Sequence, residues 1–224
     1  AIAMNQVLQN PSGAHYDLLT VGINSKKYLE NIGFFGSAYY QTGKNTLAQS
    51  KNAYQFSANV DFLIHSKFNV ILGTEWLSGR NFDTDSGENK SFSPMYGTNH
   101  LHNGFMDYFY FGNSHFNSFG LNDYYLKSNL KFSPNSILQA NLHAFTSNGK
   151  LGFDTSGEKI PSYLGTELDL VFTHKIGKSI TANLGHSFMF SGKSMEYLKN
   201  VPEPKNLQTW SWIAFRIAPN FKIK

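Results

Sequence analysis

Cysteine is absent from the 224-residue sequence, which removes disulfides and thiolate metal sites from consideration. Charge is scarce as well. Asp, Glu, Lys and Arg make up 15% of the residues, against about 25% in an ordinary soluble domain. A surface so poor in charge faces something other than water, and lipid is the leading candidate. No run of about 18 apolar residues occurs, which excludes a transmembrane helix. GxSxG, HExxH, a P-loop and a dinucleotide fingerprint are also missing, so neither an enzyme nor a cofactor is expected. The opening AIAMNQVLQ lacks a charged start and an extended apolar core; it reads as mid-strand, with any signal peptide cleaved or further upstream.

Aromatic residues are abundant, with 20 Phe and 12 Tyr beside 19 Gly. Mean hydropathy is nonetheless negative, at −0.34. Strand-favouring composition and negative hydropathy coexist when polar and apolar residues alternate, as in a transmembrane barrel. The net charge of +4 comes from Lys and Arg scattered singly, the one doublet being Lys26 and Lys27. Without a basic stripe, nucleic acid is not an expected partner.

The alternation is explicit from Tyr54, where Tyr54, Phe56, Ala58, Val60, Phe62 and Ile64 share one face and Gln55, Ser57, Asn59, Asp61 and His65 the other. Period two is the signature of a strand with two unlike faces. It returns with Phe68, Val70, Leu72, Thr74 and Trp76 against Asn69, Gly73 and Glu75, and again around Leu138–Ala144, Leu164–Phe172 and Ile180–Phe190. One residue dissents, since His186 falls on the apolar face. Short connections are expected at Ser25–Glu30, His65–Lys67, Ser133–Asn135 and Lys175–Lys178. Long ones are expected at Gln41–Asn52, Ser78–Gly120, Ser147–Ser162 and Ser191–Gln208. Short and long in alternation is the rule of up-and-down outer-membrane barrels.

The expected fold is therefore all-β, an antiparallel up-and-down transmembrane barrel with about ten strands of roughly 9 to 12 residues, long enough to cross a bilayer when tilted. Residues 1–224 form one domain, with an extracellular or inward-folded loop at 78–120. Tyr39, Tyr40, Tyr54, Trp76, Tyr163 and Phe190, at strand ends, suit interfacial girdles. In the last strand Arg216 is placed inside, because a charge at the lipid midplane costs on the order of 2 to 4 kcal/mol; Trp210 and Trp212 follow it.

The inward charges are mixed. Asp61, Glu75, Glu167 and Asp169 stand against Lys127, Lys131 and Arg216, as a selectivity lining or as a bracing network of ion pairs. His100 and His102 in NHLHN lack a third ligand by spacing, so no metal site is assigned. Asp107, Asp123, Glu167 and Asp169 could pair as acid and base for glycoside hydrolysis, but no spacing sets two of them across a bond. FMDYFYF, within 105–111, is too aromatic for a solvated loop; His100, His102, Phe105, Asp107, Tyr108 and Tyr110 are the candidates for an inward-folded constriction.

GTEWLSGRN, FSPMYGTNHLHNGFMDYFYFGN and GLNDYYLK, together with the ending WSWIAFRIAPNF, resemble the Bacteroidetes branch of the alginate-export-type outer-membrane barrels. The resemblance implies the C-terminal portion of a barrel of about 18 strands. It also implies transport of an anionic polysaccharide through a constriction rich in Arg and Lys, a pattern from which the mixed inward charges depart. The expected function is a bacterial outer-membrane channel passing polar or anionic solutes, polysaccharide among them, by passive diffusion. The alternative is a structural or docking barrel subunit of a larger envelope complex. Expected partners are outer-membrane lipid, the solute and other envelope proteins.

Overall fold

The computed structural model describes residues 1–94, 103–109, 118–201 and 205–219. Ten strands follow one another in chain order across a single antiparallel sheet: β1 (Ile2–Gln9), β2 (His15–Leu29), β3 (Ile32–Lys44), β4 (Ser50–His65), β5 (Phe68–Leu77), β7 (Leu121–Ser133), β8 (Ser136–Thr146), β9 (Tyr163–Ile176), β10 (Ile180–Ser191) and β11 (Leu207–Ile217). Two-residue β6 (Glu88–Asn89) pairs in parallel with the start of β4. The expected meander is present. Closure into a barrel is not seen, since β1 pairs only with β2 and β11 only with β10.

At one end the strands are joined by tight turns at residues 30–31, 66–67, 134–135 and 177–179. Glu30 and Gly177 take positive φ there, and Pro134 supplies a fixed φ. At the other end lie residues 10–14, 45–49, 78–120, 147–162 and 192–206. Two connections differ from expectation. Strand pairing continues through Ser25–Leu29 and through Gln41–Lys44 and Ser50–Asn52, so the first turn has two residues and the Gln41–Asn52 loop shrinks to five. Polar side chains end the visible alternation there, yet the backbone ladder does not depend on side-chain polarity. A six-residue helix, α1 (Ser194–Lys199), sits in the last long connection, where no periodicity announced it.

Register sorts the side chains into two faces. Val60, Leu72, Leu126, Leu142, Leu168 and Phe188 are successive cross-strand partners from β4 to β10. This row lies in a continuous apolar face that stays accessible: Leu72 is 59% exposed, Leu184 57% and Ile213 65%. Tyr40, Tyr54, Trp76, Tyr163 and Phe190 point outward at its loop end. Tyr39 does not; it turns to the polar face, its ring lying over Gly22. His186 is accommodated on the apolar face by Ser211, its Nδ1 2.6 Å from the hydroxyl.

The small core lies on the opposite face, near the long loops. Phe92 and Phe109 from 78–120 and Met195 from α1 pack with Ala53, Leu77, Leu121, Phe145, Leu164 and Met189. The loop-proximal end of this otherwise polar face is therefore apolar, and the loops fold onto it because that burial removes their aromatic rings from water.

Candidate functional site

Below that core the polar face carries a band of buried ionisable and amide side chains. Cross-strand pairing assembles it from distant residues: Glu75 faces Asp123, His143 faces Glu167, and Asn141 stands between Lys127 and Asp169. Glu167 and Asp169 share one face because they are two residues apart on β9. His143 Nδ1 lies 2.9 Å from each carboxylate oxygen of Asp123, and both residues are at most 2% exposed. The imidazole stacks on Phe145, with centroids 5.6 Å apart, which fixes its plane.

The two β9 acids are each held on one oxygen. Met106 donates its backbone N–H to Glu167 Oε1 at 2.9 Å, and Ser187 donates its hydroxyl to Asp169 Oδ1 at 2.5 Å. Glu167 Oε2, Asp169 Oδ2 and Asn141 Oδ1 are buried with no donor among the described residues. The band is thus rich in acceptors and poor in donors. Lys127 offsets little of this, for its Nζ sits 4.6 Å over the Tyr125 ring and forms no ion pair with a described residue. Among the described residues, no group of three or more His, Asp or Glu side chains is placed to hold a metal.

Residues 103–109 lie against this band. Asn103, Gly104 and Asp107 have φ of 63°, 83° and 55°, a tight course that Asn, Gly and Asp tolerate best. A Cβ on Gly104 would come within 2.5 Å of Glu167 Oε1, so the backbone approaches the acid as only glycine allows. Tyr108 donates its hydroxyl to Gln208 on β11, and Lys199 of α1 donates to the Tyr108 carbonyl. Phe109 packs on Phe145 with centroids 4.5 Å apart. Desolvation, and then the charge of Glu167, push the Tyr108 hydroxyl above its ordinary 10.0. Burial pushes the Lys199 ammonium below 10.5.

The sequence-predicted residues divide into groups. Glu75, Lys127, Glu167 and Asp169 come together in the band, and Phe105, Asp107 and Tyr108 belong to the segment lying against it. Asp61, Lys131 and Arg216 share the polar face but stand nearer the tight-turn end; Asp61 accepts from Asn69 Nδ2 at 2.9 Å. Arg216, Trp212 and Trp210 pair with Thr181, Gly185 and Ser187, which places all three on the polar face. His100, His102 and Tyr110 lie outside the described residues. A bracing network of ion pairs does not form, since none of Lys127, Lys131 and Arg216 pairs with a described carboxylate.

The Asp123–His143 contact, Asn141 and Ser187 were not legible as a site. Alternation puts them on the polar face, but their convergence depends on the register of three hairpins. Compared with known proteins, the chain matches no protein-family model and no curated sequence. Inference about its role therefore rests on the chain's own geometry.

Proposed function

We propose that this chain forms the wall of a β-barrel channel in a bacterial outer membrane, passing polar solutes by passive diffusion. One observation carries the reading: burial is inverted. Asp123, His143, Glu167 and Asp169 are at most 2% exposed, while Leu72, Leu184 and Ile213 are more than half exposed. In water this arrangement forfeits about 1.5–3 kcal/mol for each large aliphatic side chain left outside. Against hydrocarbon the same face is matched, and the polar face turns toward an enclosed aqueous interior. Strand length agrees: the 13 residues of β3 or β7, at about 3.4 Å each, give roughly 44 Å. At a tilt of about 40° that is a height of roughly 34 Å, more than the apolar band of about 25 Å.

The resemblance of the 73–126 stretch to alginate-export-type barrels supports an envelope location and a saccharide or other polar cargo. Polyanion selectivity is less well served. Along the polar face Lys127, Lys131 and Arg216 are outnumbered by Asp61, Glu75, Asp123, Glu167 and Asp169, so the solute class is polar rather than specifically anionic. The unpaired edges of β1 and β11 favour completion of the wall by further strands, from the rest of a longer chain or from an envelope partner, because open edges recruit strands.

The test is extraction and conductance. The protein should leave bacterial membranes only with detergent and, reconstituted into a planar bilayer with whatever strands co-purify, should give discrete conductance steps. A protein released without detergent, or a bilayer that stays silent, refutes the proposal.

A further inference from the structure

Between the buried band and the tight-turn end, the polar face holds a cleft of about 430 Å³. Two indoles, Trp210 and Trp212, form one wall, with centroids 6.2 Å apart and planes inclined by 37°. Phe105 of the inward-lying segment contributes a third ring, and Gln139, Asn183 and Thr173 supply amide and hydroxyl groups. Trp212 lies flat across its cross-strand partner Gly185, where a Cβ would come within 2.1 Å of the indole. The glycine therefore fixes the platform, and its ring does not fold elsewhere. The indole N–H of Trp212 is buried without an acceptor among the described residues.

No Asp, Glu, Lys or Arg lines the cleft. Toward the loops it borders Asp169, whose neighbour Ser187 pairs directly with Trp210. The nearest cation along β11, Arg216, is four residues past Trp212, roughly 13 Å at about 3.4 Å per residue. Faces of aromatic rings together with neutral amides and a hydroxyl match the two kinds of surface on a pyranose, its apolar C–H face and its ring of hydroxyls. A carboxylated sugar chain would instead meet Asp169 with no cation in the lining to neutralise it.

We infer that this cleft is a binding site for an uncharged oligosaccharide, with Trp210 and Trp212 as stacking platforms and Gln139, Asn183 and Thr173 as hydrogen-bonding partners. The inference rests on the channel reading for its direction of access, since the cleft opens on the face proposed to be internal.

The chain contains three tryptophans, and the outward Trp76 can be replaced by Phe so that emission reports Trp210 and Trp212. The full-length protein in detergent micelles is titrated with neutral gluco-, manno- and xylo-hexaoses and with a hexauronate. The expected result is a saturable emission change with at least one neutral hexaose and a weaker one, or none, with the uronate. Trp210→Ala should weaken neutral binding by about tenfold or more, as truncation of a central aromatic contact does; Trp210→Phe, which keeps a ring, should restore most of it. Absence of saturation with every neutral hexaose overturns the inference, as does tighter binding of the uronate or indifference to Trp210→Ala. A protein that conducts in bilayers but binds no hexaose refutes the cleft alone. One that binds hexaose but is freely soluble refutes the channel alone.

Discussion

Replacing Leu142 by Arg separates a lipid-facing sheet from a water-facing one. Leu142 lies near the middle of β8, in the row that runs Val60, Leu72, Leu126, Leu142, Leu168 and Phe188, and is 44% exposed. A side chain already this accessible has room for Arg without repacking, so in water the substitution would shift stability by only about 0.5 kcal/mol or less. At the bilayer midplane the same change costs about 2–4 kcal/mol, which at about 1.4 kcal/mol per decade lowers the folding equilibrium constant roughly 30- to 700-fold. The assay is reversible urea unfolding of wild type and Leu142→Arg in phospholipid vesicles, followed by tryptophan emission. A fall in stability within that range supports lipid contact. Equal midpoints would refute the argument from inverted burial, because the stripe would then be facing water.

Two other perturbations address the polar face. Gly185→Val pushes a side chain into the space of the Trp212 indole, whose Cε2 would lie 2.1 Å from the new Cβ; a loss of about 1–3 kcal/mol is expected, as for overpacking. Adding Trp212→Ala should relieve most of it, and additive losses would mean the contact is not the cause. Glu167→Ala removes the acceptor of the Met106 N–H, so amide exchange over 103–109 should quicken while β8 and β10 keep their protection. Unchanged exchange would show that Phe109 and the Tyr108–Gln208 bond hold the segment without the acid.

Much of the sheet was legible because period-two alternation is a local property. Tyr54–Phe62 and Leu138–Ala144 declare two faces within a few residues, and the short-long rhythm of connections follows from where the alternation stops. Boundaries failed where polar strand ends look like loop, as at Gln41 and Lys51, both buried on the polar face. Gln41 there bonds Ser93 and Lys51 bonds Asn89. The girdle assignment failed at Tyr39, because a tyrosine beside a glycine partner gains more by covering that glycine than by facing outward. Of the site, the individual acids were visible in the sequence, and their partners were not. Nothing local in Asp123 or His143 indicates that 20 residues of hairpin bring them to 2.9 Å.

Residue order alone determined which side chains share a face, since a strand's geometry makes every second residue a neighbour. It also determined that the chain is a meander, because tight turns permit only antiparallel neighbours. Tertiary structure decided what each face encloses. Register set Glu167 beside His143, folding placed 103–109 over the acids, and stacking across Gly185 opened the aromatic cleft. Those contacts depend on how strands align over hundreds of atoms, a quantity that no window of sequence contains.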